Sequence, residues 1–506
     1  MNESAHVIAI FIVPWKEFKV INNVYKNKEI HHANYSNTLP PSLQLVRGVA
    51  TMDQMPNLGR EKEMLDVLGL NSMEELFSNI PENIRRKDPL PLPAPQSEEE
   101  IWSDAVKLLG SNVTLDDKPS FLSAGLVRNF VPTAVGMLAT RGEFLTSYTP
   151  YQPEVSQGML QAMWEFQTMI SELVNLPVAN VSMYDASTAA AEAITCAVRV
   201  HNKVATQKGI VYVSEFTPPH RLAVIRNYTQ GGGIEIKKLK HQSNGYIDIS
   251  SVKDAEGCCA VYVEQPNCFG VLDSSLVEIK EIIGKDTALI VGVDSVSLGI
   301  IEPPGSWGAD IVVGEGQPFG IGPTAGGPIY GIFACGSKYT RQMPGRIVGL
   351  TKDTDEKRAF TLTLSTREQH IRRHRATSNI CSNETLIALM GAIHMSLLGP
   401  EGLERLALRV AANTELAKKS ISSIDGIELV DTDSPNFREF RVKLPISTSD
   451  ALEYLDDFGV IAGLDLGIWW DSLDCCLLIG VDERTSESDI KKLSDGLSMW
   501  LKEVQK

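Results

Sequence analysis

The residues best suited to chemistry in this 506-residue chain lie where predicted strands end or predicted helices begin. Asp294 ends the apolar run ALIVGVD, and the glycine-rich segment VGEGQPFG carries Gln317, 23 residues further on. The segment MYDASTAAAEA places Ser187 and Thr188 at the start of a helix of small residues. Strand carboxyl ends form ligand sites in α/β sheets, and N–H groups at a helix start bind phosphate. The same Asp-x-Ser-Thr pattern is also an ordinary helix N-cap.

Asp294 and Gln317 together point to a pyridoxal phosphate pocket that has no covalent anchor. A buried carboxylate can hold the pyridinium nitrogen of that cofactor protonated. In pyridoxal phosphate enzymes of the aminotransferase-like fold, this spacing and this glycine-rich loop place the Schiff-base lysine. An amide cannot form an imine, and Lys285 and Lys338 fall outside the loop. We therefore expect no covalent cofactor on this chain.

A cluster of arginines follows in the segment TREQHIRRHRATSNICSNE. Between residues 367 and 375 it contains four arginines, Arg367, Arg372, Arg373 and Arg375, and one acidic residue, Glu368. The segment is therefore a positive region in a chain of net charge −16. Arginine forks bind carboxylate or phosphate groups through paired hydrogen bonds. A solvated helix face or a salt-bridge seam between subunits is the alternative interpretation.

The elements that must position these groups alternate along the chain. Apolar β-branched runs predict strands, and helical periodicity lies between them. The predicted strands are 210–214, 234–239, 259–264, 288–294, 311–313 and 329–334, and the predicted helices are 158–175, 188–202, 219–228 and 275–283. This alternation predicts an α/β fold with a mainly parallel sheet covered on both faces. A long helix follows, broken at Gly399-Pro400, and then a smaller C-terminal α+β domain.

Four regions are expected from these patterns. They are a non-native or disordered N-terminal extension (1–55), a helical arm and linker (56–120), a large domain (121–395) and a small C-terminal domain (396–506). The extension lacks the periodicity of the rest, so Met52 or Met55 is an alternative start to Met1. Within 56–120 we expect a helix capped by Asn71 or Ser72 and another that starts at Ser97.

Composition excludes several classes of function. A net charge of −16 disfavours nucleic acid as a partner. The 8 cysteines form no CxxC pair and the 9 histidines no zinc spacing, which indicates reduced thiols in a cytoplasmic protein without a metal. The apolar segment Val7–Trp15 is too short to span a bilayer, so we expect no membrane association.

Several motifs in order carry a resemblance to a known family. YTPYQPEVSQG, DASTAAAEA, VGEGQPFG, GGPIYGIFA, MPGRIVG and REQHIRRHRATSNIC resemble the amino-terminal half of glycine cleavage system P-proteins. That half is a separate chain, subunit 1, in the two-subunit form of glycine dehydrogenase (decarboxylating). The resemblance covers about residues 56–506 and implies the aminotransferase-like fold of fold-type-I pyridoxal phosphate enzymes.

The resemblance also implies a reaction and its partners. The family decarboxylates glycine with pyridoxal phosphate and passes the aminomethyl group to the lipoyl arm of the H protein. In the two-subunit form, subunit 2 carries the lysine and the cofactor, and the assembly is an α2β2 heterotetramer. Ser187, Thr188, His220 and Asp294 are then a vestigial pocket, where we expect His220 to be structural.

The resemblance places the functional residues of this chain at the partner's active site. Tyr148, Tyr151 and Glu154 are the first candidates, because two prolines hold their loop with little entropy loss on ordering. The tyrosines could instead only pack at the interface. The next candidates are Arg367, Ser378 and Asn379.

Two other functions remain open. A stand-alone pyridoxal phosphate lyase or transaminase would need a lysine at position 317, which this chain does not have. A purely structural or regulatory partner of the catalytic subunit is compatible with every motif above.

Overall fold

The computed structural model describes residues 57, 59–125, 127–145, 148–202, 209–380 and 382–504. The predicted N-terminal extension, with its candidate start residues Met52 and Met55, lies outside these ranges. Contacts divide the chain into two compact units, Met1–Val106 and Lys107–Lys506. The four regions expected from the sequence remain predictions.

The first unit contains helix α1 (Glu61–Leu68), a 3-10 turn at Met73–Phe77 and the start of α2 (Glu98–Leu109). The predicted start of α2 is confirmed by a capping box. Ser97 N and Oγ donate to Glu100 Oε2 at 2.7 and 2.9 Å, and Glu100 N donates back to Ser97 Oγ at 3.3 Å. The helix predicted after Asn71 or Ser72 is this 3-10 turn.

A seven-stranded sheet forms the centre of the second unit, in the order β1-β7-β6-β5-β4-β2-β3. Its strands are β1 (Val178–Ala179), β2 (Gly209–Ser214), β3 (Ile234–Leu239), β4 (Ala260–Gln265), β5 (Ala288–Asp294), β6 (Ile311–Glu315) and β7 (Gly331–Cys335). Neighbouring strands from β3 to β6 pair in parallel, and β7 and β1 pair antiparallel at one edge. The prediction of a mainly parallel α/β sheet is confirmed.

Helices cover both faces of this sheet. In chain order, the helices of this part of the chain are α3 (Thr133–Ala139), α4 (Gly142–Leu145), α5 (Gln157–Val174), α6 (Ala186–Asn202), α7 (Pro219–Gln230), α8 (Ile249–Val252), α9 (Leu276–Ile283), α10 (Gln369–Arg372) and α11 (Thr385–Ser422). Alternate residues of β4 point to opposite faces, so Tyr262 packs with Ile194 of α6 while Val261 packs with Phe166 of α5. Burial on both faces explains the continuous apolar runs in the strands.

Helix α11 has 38 residues and non-helical geometry at Gly399, next to Pro400, as the sequence predicts. Among the described helices it is the one long and apolar enough to cross a membrane by length and composition. Its residues Leu389 and Ala392 nevertheless pack in the same core as Phe166.

A second, antiparallel sheet lies in the C-terminal part, in the order β10-β11-β13-β12. An unpredicted hairpin, β8 (Ile347–Lys352) and β9 (Arg358–Thr363), precedes α10, and the C-terminal strands are β10 (Glu428–Leu429), β11 (Glu439–Lys443), β12 (Leu464–Asp465) and β13 (Cys476–Gly480). Helices α12 (Thr448–Asp457) and α13 (Glu487–Val504) pack on them around Phe440, Leu477 and Trp500. We call this part the small domain and the part with the seven-stranded sheet the large domain.

Candidate functional site

A cavity of about 90 Å³ lies at the carboxyl ends of β4, β5 and β6. These strand ends contribute Glu264, Asp294 and Glu315 to its lining, helix α7 contributes Arg221, and the small domain contributes Glu439. This is the position at which open α/β sheets bind their ligands. The lining therefore contains four acidic side chains and one arginine.

Two carboxyl groups occupy the helix start that could bind phosphate. Asp185 Oδ1 accepts hydrogen bonds from Thr188 N at 2.7 Å and from Thr188 Oγ1 at 2.6 Å. Glu315 Oε2 accepts from Ala186 N at 3.1 Å, and burial raises the pKa of Glu315 to about 7. The N-cap interpretation of the Asp-x-Ser-Thr segment is therefore the one that the structure supports. A phosphate would have to displace both carboxyl groups.

Asp294 is held by an arginine that comes from the small domain. Its Oδ2 accepts a hydrogen bond from Arg438 Nε at 2.8 Å, and its Oδ1 accepts from Val296 N and Ser297 N at 2.9 and 3.2 Å. Arg438 is 1% exposed, and its Nη1 and Nη2 have no hydrogen-bond partner in the part of the chain that the structure describes. A carboxylate paired in this way is not available to a pyridinium nitrogen.

Gln317 is fully buried, with an exposed fraction of 0%, and its amide makes four hydrogen bonds. Its Nε2 donates to Val127 O at 3.0 Å, to Asn129 Oδ1 at 2.9 Å and to Ile321 O at 2.7 Å. Its Oε1 accepts from Val127 N at 3.1 Å. The loop then passes close to α11 at Gly320, whose φ is +92° and where a Cβ would lie 2.6 Å from Met390 O.

The segment that Gln317 binds connects the large and small domains. We call residues 120–125 and 127–130 the strap. Phe121 N donates to Ile461 O at 2.7 Å and Gly480 N donates to Phe121 O at 2.8 Å, so the strap joins the small-domain sheet. At its other end, Asn129 Nδ2 donates to Pro318 O at 3.0 Å. Gln317 thus belongs to a structural connection between the two domains.

The residues present do not fit pyridoxal phosphate. The carboxylate expected for the ring nitrogen is paired with Arg438, the helix start is filled by Asp185 and Glu315, and a buried amide stands where the sequence pattern predicts a lysine. The cavity is also well below the roughly 300–1,000 Å³ of typical ligand pockets. His220 does not line it; its ring packs against Trp469, with centroids 5.6 Å apart.

A second group of residues forms around Tyr151, outside this cavity. Tyr151 Oη accepts a hydrogen bond from Arg346 Nη2 at 2.9 Å, and its ring lies 5.4 Å from that of His370. Arg346 Nη1 donates to Asn383 Oδ1 at 3.1 Å. Arg346 thereby joins the tyrosine loop to the arginine-rich segment. It was not among the predicted site residues, although it lies in the quoted motif MPGRIVG.

The other predicted residues divide into those that bind the surrounding chain and those that are exposed. Arg367 is 8% exposed and donates to the backbone oxygens of Leu364, Gly345 and Met343, and Ser378 Oγ donates to Glu192 Oε1 at 2.5 Å. These contacts hold backbone and helix in place. Tyr148, Glu154 and Asn379 are exposed, as Tyr151 also is. Tyr148 is 84% exposed, so its hydroxyl is accessible to a partner.

Comparisons with known proteins agree on one family. The family model for the glycine cleavage system P-protein matches residues 55–497. A probable glycine dehydrogenase (decarboxylating) subunit 1 from Pyrococcus abyssi is 44% identical over 454 residues, which is 89% of this chain and 99% of the relative. Its counterpart from Oceanobacillus iheyensis is 43% identical over 450 residues, covering 87% of this chain and 98% of the relative.

Solved structures give the same result. The crystal structure of glycine decarboxylase (P-protein) of the glycine cleavage system, in inhibitor-bound form, matches with a TM-score of 0.77 and 36% identity. The match covers 87% of this chain and 97% of that one. A NifS-like protein matches at a TM-score of 0.57 with 12% identity, over 76% of this chain and 99% of that one, which shows the fold alone.

Proposed function

The chain belongs to the glycine cleavage system P-protein family, and we propose that it is the subunit without the catalytic lysine. Together with a lysine-bearing subunit 2, it decarboxylates glycine. The carboxyl group leaves as CO₂, and the aminomethyl group passes to the lipoyl arm of the H protein. We propose pyridoxal phosphate on subunit 2, an α2β2 heterotetramer and a cytoplasmic location.

The single observation that carries this proposal is Gln317. Its amide stands at the predicted lysine position, is fully buried and bonds to the strap rather than to a cavity. The pairing of Asp294 with Arg438 supports the same conclusion. A family that depends on pyridoxal phosphate therefore needs its cofactor on another chain, and the subunit-1 names of the relatives agree with a second chain.

We propose that the loop with Tyr148, Tyr151 and Glu154 completes the active site across the subunit interface. Tyr148 and Glu154 are exposed, while Arg346 holds Tyr151 against the arginine-rich segment. A loop that is fixed through the Tyr151 hydroxyl and is 84% exposed at Tyr148 can place a hydroxyl in a neighbouring site at little entropic cost. The alternative, a purely structural partner, makes the same contacts without affecting turnover.

Reductive labelling tests the proposal that the cofactor is bound to subunit 2 and not to this chain. This chain is co-expressed with the lysine-bearing subunit, purified through a tag on this chain, reduced with borohydride and digested for mass spectrometry. We expect the two chains to co-purify with pyridoxyl-lysine on subunit 2 alone. A pyridoxyl adduct on this chain, or no association between the chains, would contradict the proposal.

A further inference from the structure

Three exposed arginines lie close together in the arginine-rich segment. Arg372, Arg373 and Arg375 are all exposed, and within the described ranges no carboxylate lies at ion-pair distance from them. Some exposed arginines elsewhere pair with a carboxylate, as Arg141 does with Glu143 and Arg484 with Asp116, and others, such as Arg226, stand alone rather than in a cluster. In a chain of net charge −16, three such arginines within four positions form an uncompensated positive surface.

The backbone that carries these arginines is held in place. The Arg367 side chain donates hydrogen bonds to three backbone oxygens, and Arg372 Nε donates to Thr366 O at 3.0 Å. Arg373 has φ +54° and ψ −123°, a conformation that is costly for a residue with a side chain. Strain of this kind persists where surrounding contacts fix the backbone, so the arginines sit on a fixed support rather than a loose loop.

This surface borders the loop that we place at the shared active site. His370, on the same short helix as Arg372, packs its ring 5.4 Å from that of Tyr151. A protein bound to the arginines would therefore lie next to the tyrosine loop. That is the position from which a flexible arm could reach the active site.

We infer that Arg372, Arg373 and Arg375 form a docking surface, the arginine surface, for an acidic face of the lipoyl-carrying protein. This inference rests on the proposed function. The guanidinium groups of arginines bind carboxylates through paired hydrogen bonds. Three arginines spread over a surface match a protein face with several carboxylates better than a small molecule with one. Because the chain is acidic overall, an acidic carrier is repelled elsewhere and steered to this surface.

Steady-state kinetics of the reconstituted heteromer test the inference. We compare the wild type with the triple variant R372Q/R373Q/R375Q and vary the lipoylated carrier and glycine separately. At low ionic strength we expect the KM for the carrier to rise about tenfold or more, with the KM for glycine unchanged. The difference should shrink at about 0.5 M salt, where surface charges are screened. R226Q, an exposed arginine of α7, is the matched control and should leave both constants unchanged.

Three other outcomes would contradict the proposed docking surface. An unchanged KM for the carrier shows that the arginines do not bind it. A loss of glycine-dependent CO₂ exchange when free lipoate replaces the carrier places them at the substrate, and a loss of assembly places them at the subunit interface. Should the triple variant misfold, the single variants R372Q, R373Q and R375Q are measured instead; each should raise the carrier KM at low ionic strength by about twofold or more, and unchanged values in all three would contradict the docking surface. An inactive wild-type heteromer would instead refute the proposed function.

Discussion

Gln317 and Val127 exchange two hydrogen bonds: the Gln317 amide donates to Val127 O at 3.0 Å and accepts from Val127 N at 3.1 Å. The side chain thus pairs with both backbone hydrogen-bonding groups of Val127, as the backbone of a neighbouring strand would. The position at which the sequence pattern predicts a covalent anchor here fixes the strap between the large and small domains.

Gln317→Lys is therefore expected to destabilise the chain without restoring cofactor binding. A lysine has no acceptor for Val127 N and would bury an ammonium group, so we expect a loss of about 1–3 kcal/mol in the free energy of unfolding. Denaturant unfolding measures the loss, and Gln230→Lys, an exposed position at the end of α7, is the control. The appearance of the visible absorption of lysine-bound pyridoxal phosphate in Gln317→Lys would show that the cavity accepts the cofactor after all.

The pair Asp294–Arg438 should behave as a buried charge pair. Arg438→Met or Asp294→Asn leaves one buried partner uncompensated, and each change should cost about 3–5 kcal/mol of unfolding free energy. The double variant should cost clearly less than the sum of the two. Lys352→Met, which removes an exposed pair with Glu356, should change stability by about 0.5 kcal/mol or less. Additive costs in the Asp294–Arg438 cycle would mean that the two groups do not interact.

The cavity carboxyls predict a dependence of stability on pH. Burial raises the pKa of both Glu315 and Glu439 to about 7, above the roughly 4.3 of an unfolded glutamate. Between these values the folded state holds protons that the unfolded state has lost, so stability falls as pH rises from about 4.5 to about 7. Glu315→Gln should remove part of this slope, up to about 3 kcal/mol across the range. Urea unfolding at several pH values checks this, and a pH-independent difference between wild type and variant would contradict it.

Tyr148 and Tyr151 should respond differently to loss of the hydroxyl. Tyr148→Phe removes an exposed group, so stability should change by less than about 0.5 kcal/mol while turnover of the heteromer falls about tenfold or more. Tyr151→Phe removes the acceptor for Arg346 and should cost about 1 kcal/mol of stability. Glu154→Gln should lower turnover with normal assembly, and Tyr454→Phe in the small domain is the control. Full activity of Tyr148→Phe and Glu154→Gln would refute a catalytic role for this loop.

The regular part of the fold follows from sequence pattern, because buried parallel strands are continuous apolar runs. β3 and β5 have the predicted bounds, and β6 extends two residues past its prediction to Glu315. The hairpin of β8 and β9 was missed because both strands are only partly buried and interrupt their apolar residues with polar and charged ones, such as Lys352 and Arg358.

The pairings that define the cavity could not be predicted in the same way. Arg438 lies 144 residues from Asp294 and in another domain, and Val127 lies 190 residues from Gln317. The hydrophobic pattern within a segment does not encode which distant side chain will contact that segment. Residue type still showed that Gln317 could not be a covalent anchor, and only the packing showed that it holds the strap.

A chain that supplies half of a shared active site should control the activity of its partner. This is measured by titrating it into a fixed amount of the lysine-bearing subunit while following glycine-dependent CO₂ exchange. We predict that exchange is low without this chain, rises in proportion to its amount and reaches a plateau at one chain per lysine-bearing subunit. Full exchange by the lysine-bearing subunit alone, unchanged by addition of this chain, would show that the active site is not shared.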